Sequence, residues 1–235
     1  MTPADLAQVM EATWPPAQFQ RLGPWTIRSG RGGGKRVSAA TAEDAITAAD
    51  LPLAEAAMHA MDQPPLFLIR EGDAVLDALL QAAGYRIVDP VTAYSAPLSA
   101  LPPPPDAMTV FAHWPPLAVA RDLWADAGIG PARLEVMNRV AGPKTALLAR
   151  ANDRAVGVAF VAVALDTAML HALEVSLNHR RQGSAHNMLR AAAGWAQSQG
   201  AATLSLVVTT ANVPARTLYA SMGMQVVGQY HYRQK

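Results

Sequence analysis

The sequence contains no cysteine among its 235 residues, which excludes disulfide bonds, zinc–thiolate sites and cysteine nucleophiles. It also lacks any run of about 18 apolar residues, so no membrane span is expected. The segment MTPADLAQVMEATW at the start carries two acidic residues and no Lys or Arg, unlike a signal peptide. We therefore expect a cytoplasmic protein without a membrane partner.

Charged residues are scarce at 16%, whereas hydrophobic residues make up 51% of the chain, so a folded core is expected. Residues 1–105 hold 7 Lys and Arg against 11 Asp and Glu, and residues 106–235 hold 12 against 7. An anionic ligand is therefore expected on the second part. The basic excess is dilute and lacks interleaved aromatic residues, so nucleic acid is not an expected partner.

Four consecutive prolines, Pro102–Pro105, cannot continue a helix or a central strand and favour a stiff, extended spacer. We predict a first domain over residues 1–100, a proline-rich linker over 101–106 and a second domain over 107–235. The alternative is a long loop inside one domain.

The first part predicts helices over 2–13, 42–60 and 73–83, and strands over 25–28, 36–40, 66–70, 85–88 and 91–96. The glycine-rich segment Ser29–Lys35 joins the first two strands. A phosphate-binding P-loop would need Gly at position 29 and Ser or Thr at position 36, where the chain has Ser29 and Arg36. A flexible hairpin tip or a lid over an acceptor site is the favoured interpretation.

The second part predicts a helix over 116–127, an ambiguous segment over 133–140, and a hairpin of strands 144–151 and 155–164 turning at Asn152 and Asp153. Strands over 169–175, 203–209 and 224–232 and helices over 184–199 and 213–221 follow. Arg190 and Trp195, on the first of these helices, are expected to pack rather than to do chemistry.

A short basic loop joins the strand that ends at Val175 to the helix that starts at Ser184. Backbone N–H groups at a helix start have no intrahelical partner, and the helix dipole there favours negative charge. Gly183 and Ala185 would let a phosphate approach the backbone, and Arg180 and Arg181 add positive charge. The loop therefore suggests an anion site, although an ordinary turn would have a similar sequence.

Two motifs in this region resemble those of the GNAT superfamily of acyl-CoA-dependent N-acyltransferases. Arg180-x-x-Gly183-x-Ala185 fits the pattern (Gln/Arg)-x-x-Gly-x-(Gly/Ala). The segment from Asn212 through Tyr219 to Gly223 resembles the second motif, Asn-x-x-Ala-x-x-Leu-Tyr-x-x-x-Gly-Phe, with Met224 in place of the aromatic residue. The resemblance covers residues 144–232 closely and 106–143 loosely.

The resemblance implies an α/β fold with a central mixed, mostly antiparallel sheet that is flanked by helices and splayed at the cofactor site. It implies acetyl-CoA, or another acyl-CoA, as co-substrate and no metal. The pantetheine would pair with the main chain near 173–177, and the diphosphate would sit on the amides of 181–185. The implied cofactor-binding residues are Leu173, Val175, Leu177, Arg180, Arg181, Gln182, Gly183, Ser184, Ala185 and Asn212.

The resemblance also implies the catalytic residues. Tyr219 occupies the position of the tyrosine that often protonates the CoA sulfur, and its usual pKa near 10 keeps it protonated at pH 7; packing against the cofactor is the alternative role. Glu174 would take up the proton of the amine. Strand alternation puts Glu174 and His171 on opposite faces unless a bulge intervenes, so the residue that faces the acceptor stays open.

Residues 1–98 resemble a GNAT closing region without the Arg-x-x-Gly loop, since a strand over 66–70 leads into a helix and the turn Gly84–Tyr85. We therefore predict a tandem of a degenerate half and an intact half. His231, on the last strand, is interpreted as an ordinary strand residue in preference to a pocket residue.

The predicted function is direct transfer of an acyl group to a primary amine of a small molecule or protein in a ternary complex. One alternative is a non-catalytic acyl-CoA-binding or regulatory module, and another is a dimeric scaffold. Five Trp and ten Met leave room for an apolar homodimer interface.

Overall fold

The computed structural model describes residues 2–235 and has a mixed α/β architecture. The helices are α1 (Pro3–Thr13), α2 (Leu51–His59), α3 (Ala74–Ala82), α4 (Ala118–Asp126), α5 (Pro131–Arg139), α6 (Ser184–Ser198) and α7 (Val213–Ser221). The strands are β1 (Gln18–Leu22), β2 (Trp25–Ser29), β3 (Thr41–Ala42), β4 (Leu66–Ile69), β5 (Arg86–Pro97), β6 (Val110–His113), β7 (Lys144–Ala151), β8 (Arg154–Ala164), β9 (Thr167–Val175), β10 (Thr203–Thr209) and β11 (Gln225–Gln234).

A central sheet of eight strands organises the molecule, in the order β4-β11-β5-β10-β9-β8-β7-β6. Neighbouring strands are antiparallel except β9 and β10, which are parallel. A smaller sheet, β1-β2-β3, lies beside it. The mixed, mostly antiparallel sheet flanked by helices confirms the predicted fold class. No helix within residues 2–235 has the length and apolar character needed to cross a membrane.

Strands from the two parts of the chain alternate at one end of the central sheet. The units β4–α3–β5 and β10–α7–β11 each run strand, helix, strand. β11 lies between β4 and β5, and β5 lies between β11 and β10, so each unit places its last strand beside the other unit's first. The sheet is therefore continuous across the proline segment, while the division into a degenerate and an intact half stays a prediction.

The proline segment is held against α6. The Arg190 guanidinium donates to the carbonyl of Pro103 at 2.6 Å and to that of Pro104 at 3.2 Å. A Cβ on Gly194 would come within 2.5 Å of Cγ of Pro104, so glycine allows the close approach. Arg190 thus holds the proline segment against α6, which is a packing role, as expected from the sequence.

The interior lies on both faces of the central sheet. On β8, Val158 and Phe160 pack with Trp124 of α4 and Val136 of α5. Alternate residues of the same strand, which include Val161, pack against α6 on the opposite face. Burial on both faces matches the apolar run of β8. This buried strand pairs with β9 along one edge of β9.

Three predictions about the first part were wrong. Arg36–Ala40 is not a strand, because β2 pairs with β1, and Lys35–Val37 forms a single turn of 3-10 helix. The glycine-rich loop instead packs on α5, where a Cβ on Gly33 would come within 2.5 Å of the Val136 side chain. The predicted helix over 42–60 begins only at Leu51, where Pro52 suits the first turn.

The third error concerns the two predicted strands over 85–88 and 91–96, which form the single strand β5. Asp89 takes a left-handed conformation within it, with φ of 44°. In the second part, β10 and α7 have the predicted bounds, and the ambiguous segment over 133–140 is helical up to Arg139, within α5. Asn152 and Asp153 both have positive φ, as the predicted hairpin turn requires.

Candidate active site

The parallel strands β9 and β10 separate partway along their length. Their pairing runs from Thr167 and Thr203 to Leu170 and Leu206 and then stops. Beyond this point the strands border a cleft of about 410 Å³. The predicted divergence of these two strands is therefore present.

A β-bulge lies where the strands part. β9 takes three steps from His171 to Glu174, while β8 takes two from Phe160 to Val158. Ala172 has φ of 50°, and its carbonyl accepts a hydrogen bond from the Trp124 indole at 2.8 Å. The extra residue breaks strand alternation, so the face of each following side chain is set by the bulge.

His171 lines the cleft, but hydrogen bonds engage both of its ring nitrogens. The Thr13 hydroxyl donates to the Val9 carbonyl, so it accepts a hydrogen bond from Nε2 of His171 at 3.0 Å. Nδ1 then accepts from the Arg36 guanidinium at 3.1 Å. Burial, with Arg36 adjacent, holds the pKa of His171 well below its usual 6.5. This neutral histidine has no free lone pair with which to take up a proton.

Glu174 also lines the cleft and stays accessible, with a third of its side chain exposed. Partial burial raises its pKa above 4.5, while the positive charges of Arg180 and Arg133 oppose the shift. The nearest of these, Nη2 of Arg180, lies 3.9 Å from Oε2 of Glu174. A carboxylate with a raised pKa is a better proton acceptor, so Glu174 suits the role of a general base.

Tyr219 lies on α7 at the other wall of the same cleft. Asn212 positions the helix, because its side-chain oxygen accepts from the amide of Ala215 at 3.2 Å. Burial, with a smaller contribution from Glu174, raises the pKa of Tyr219 to about 12. The phenol therefore stays protonated at neutral pH, as a proton donor must be.

The predicted anion site follows the C-terminal end of β9. α6 starts at Ser184, after Gly183 in a left-handed conformation with φ of 85°. A Cβ at Gly183 would meet no atom within 4 Å, so the approach to the helix start is open. Nδ1 of His179, in the same loop, is buried and has no hydrogen-bond partner in residues 2–235. The loop therefore fits a polyanionic group such as a diphosphate.

The remaining predicted cofactor residues lie along this path. Leu173 and Val175 belong to β9, and Leu177 is 75% exposed in the turn that follows. The Arg180 side chain folds back and donates to the Val175 carbonyl at 3.0 Å, so it holds the strand end to the loop. Gln182 donates to the Asn178 carbonyl at 3.3 Å.

Two other predictions concerned His231 and the glycine-rich loop. Nε2 of His231 lies 2.8 Å from Oδ1 of Asp77, so His231 joins β11 to the first part of the chain. The glycine-rich loop does reach the cleft, since Gly33 and Gly34 line it. Lys35 pairs with Asp89 at 2.5 Å across this region. Within residues 2–235, no cluster of three or more His, Asp or Glu side chains could hold a metal.

The sequence did not identify Trp14, Arg36 and Arg133, which also line the cleft. Trp14 packs its ring at 5.0 Å from that of His171. Arg36 came from a segment interpreted as a strand, and Arg133 from a segment left ambiguous. No local pattern marks them, because they reach the site through packing between distant parts of the chain.

Residues 111–224 match the model of the Acetyltransferase (GNAT) family. Over these residues, which include the splayed strands β9 and β10, the chain is similar to GNAT acetyltransferases.

Two curated proteins are similar to this chain. One is the N-acetyltransferase family 8 member 3 of Rattus norvegicus, 41% identical over 63 residues, which span 27% of this chain and 28% of that protein. The other is the uncharacterized N-acetyltransferase YobR of Bacillus subtilis, 24% identical over 98% of this chain and 97% of that protein.

The fold is also similar to a solved structure, a GCN5-related N-acetyltransferase from Kribbella flavida. The TM-score is 0.75 at 19% identity, and the match covers 99% of this chain and 95% of that chain. The similarity therefore extends over both parts of the chain, including the first hundred residues.

Proposed function

We propose that the protein is an acetyl-CoA-dependent N-acetyltransferase that acylates a primary amine by direct attack in a ternary complex. The observation that carries the proposal is that Glu174 and Tyr219 line one cleft at the divergence of β9 and β10. A base candidate and an acid candidate therefore border the same space. We propose a small molecule or a protein as the acceptor, and the cytoplasm as the location of the reaction.

Acetyl-CoA supplies an activated acyl group as a thioester, so the enzyme mainly has to position the amine and move protons. The amides at residues 181–185 would hold the diphosphate, with Gly183 allowing close approach. The main chain at 173–177 and Asn212 would hold the pantetheine arm. Arg180 and Arg181 add positive charge to this path, which suits the phosphates of the nucleotide.

Glu174 takes up the proton of the attacking amine, directly or through a water molecule. Tyr219 donates its phenolic proton to the departing thiolate, so the proton lost by the amine is balanced by one delivered to sulfur. The chain contains no cysteine to carry the acyl group. Direct attack is therefore the simplest route. A homodimer stays a prediction.

The experiment has two readouts. CoA thioesters should raise the melting temperature, because a ligand that binds only the folded state stabilises it. A panel of amines with acetyl-CoA should release free thiol. Tyr219→Phe should lower kcat about 100-fold and keep CoA binding, whereas the control Tyr85→Phe, at the distant Glu55 contact, should keep kcat. Binding without thiol release from any amine would instead support a non-catalytic module.

A further inference from the structure

Arg36 lies at the junction of two cavities. The cleft between β9 and β10 is one, and the other is a larger cavity of about 910 Å³ bordered by α1, β2 and β11. The two cavities share the lining residues Trp14, Arg36 and Tyr230. A ligand that extends from the cleft into the larger cavity would pass the Arg36 guanidinium.

The other arginines of the larger cavity have acidic partners. Arg28 pairs with Glu11 at 3.0 Å, Arg70 with Asp73 at 3.3 Å, and Arg21 pairs with Asp44. Arg36 differs from them, since none of the ion pairs within residues 2–235 includes it.

The contacts of Arg36 are with neutral groups. Nη1 donates to Nδ1 of His171, and the hydroxyls of Tyr230 and Tyr232 interact with the guanidinium. Nε is buried and has no hydrogen-bond partner in residues 2–235. A guanidinium cannot lose its proton in a protein, so this site keeps a positive charge with an unused donor.

Arg36 is partly buried, with its Nε withdrawn from water, and a charge in such a position is unfavourable until a ligand supplies the opposite charge. A carboxylate is the natural match, because a guanidinium offers parallel donors to its two oxygens. Arg36 contacts β9 at His171, before the bulge, whereas the anion site at 181–185 follows the outer end of that strand. The two positive sites are therefore separate along β9.

We propose that Arg36 binds the carboxylate of the acceptor, and that the acceptors are amines with a carboxylate near the nucleophilic nitrogen, as in α-amino acids. This inference rests on the proposed function. The amine would lie in the cleft beside Glu174, its carboxylate on Arg36, and the rest of the acceptor in the larger cavity. That cavity also admits long side chains, since its volume exceeds that of the cleft.

The test compares amino acids with their decarboxylated amines as acceptors for acetyl-CoA, for example phenylalanine with phenethylamine and leucine with isoamylamine. The wild-type protein should prefer the amino acid by at least about tenfold in kcat/KM. Arg36→Gln should lower kcat/KM for the amino acid by about 10- to 100-fold, the range of a hydrogen bond to a charged group. It should change kcat/KM for the amine by less than about threefold.

Arg36→Lys keeps the charge and loses the planar fork. Its kcat/KM for the amino acid should therefore fall between the values for the wild-type protein and for Arg36→Gln. Arg150→Gln, at a paired arginine of β7 that lines neither cavity, is the control and should keep the preference. Equal losses for amino acid and amine in Arg36→Gln would show a structural role and overturn the inference. Equal use of both acceptors by the wild-type protein would also overturn it and leave the proposed function intact.

Binding provides a readout that does not depend on turnover. Calorimetric titration of the CoA-saturated protein with phenylalanine and with phenethylamine should show binding of phenylalanine. Arg36→Gln should lower the affinity for phenylalanine at least tenfold. If no amine were acylated, the proposed function would fail, and this titration would still decide the role of Arg36. Equal affinities for phenylalanine and phenethylamine would then overturn the inference.

Discussion

Nη1 of Arg36 lies 3.1 Å from Nδ1 of His171, and this contact joins the 3-10 turn after the glycine-rich loop to the bulged strand. Because burial holds the pKa of His171 well below 6.5, the native protein leaves it neutral where an unfolded histidine takes up a proton. The unfolded state therefore binds more protons as the pH falls below about 6.5. Stability present above this pH is lost on acidification.

We expect the free energy of unfolding to fall by about 1 kcal/mol between roughly pH 6.5 and 5.5 because of this one residue. Urea unfolding over this range should show the loss in the wild-type protein and a weaker dependence in His171→Gln. His113→Gln, at an exposed position of β6, serves as the control and should retain the wild-type slope. Parallel pH profiles for wild type and His171→Gln would contradict the assignment.

The raised pKa of Glu174 predicts how the activity declines at acidic pH. Burial raises the pKa of this carboxyl above 4.5, so kcat/KM should decline on acidification at a pH above that value, as the base becomes protonated. Glu174→Gln should lower kcat/KM by about 100-fold and remove this limb. Glu135→Gln, on the exposed face of α5, should keep both rate and profile. An unchanged acidic limb in Glu174→Gln would assign the base elsewhere.

Substitution of Gly183 by alanine should lower the affinity for CoA specifically. Gly183 and Gly200 lie before and after α6, have φ of 85° and 80°, and leave open space where a Cβ would stand. Alanine at either position should therefore cost a similar amount of stability, about 1 kcal/mol. Only Gly183→Ala should also weaken CoA binding, which calorimetry would measure. Equal affinities in the two variants would place the diphosphate away from this loop.

The contact between Arg190 and the proline segment predicts a structural effect. Arg190→Ala removes the hydrogen bonds to the Pro103 and Pro104 carbonyls and should lower the free energy of unfolding by about 1–2 kcal/mol. The segment should also become more accessible to proteolysis. Arg154→Ala, at an exposed position of β8, should change neither measurement. Unaltered cleavage in Arg190→Ala would show that the prolines are held by other contacts.

Several elements could be predicted because their signals are local. β10 is rich in β-branched residues, and Asn212 and Pro214 mark the start of α7. The loop from Arg180 to Ala185 combines charge, a left-handed glycine and a helix start within a few residues. In contrast, β1 was missed, since Gln18–Leu22 is mostly polar and is stabilised by pairing with β2.

The choice between His171 and Glu174 depended on a contact that no local pattern contains. The Trp124 indole binds the Ala172 carbonyl within the bulge, and these residues lie 48 positions apart. The bulge decides which side chains reach the cleft, while Thr13 and Arg36 occupy the ring nitrogens of His171. Strand alternation cannot foresee such an insertion, because it depends on packing from α4.

Local sequence was thus sufficient to predict the strand end, the basic loop and the helix start at the candidate anion site, because these elements are adjacent in the chain. The end of the cleft at His171 required the folded molecule. Trp14 and Arg36 reach it from the first part of the chain, and β5 and β11 hold the two parts in one sheet by alternating. Residues more than a hundred positions apart meet only when long-range strand pairing and burial bring them together.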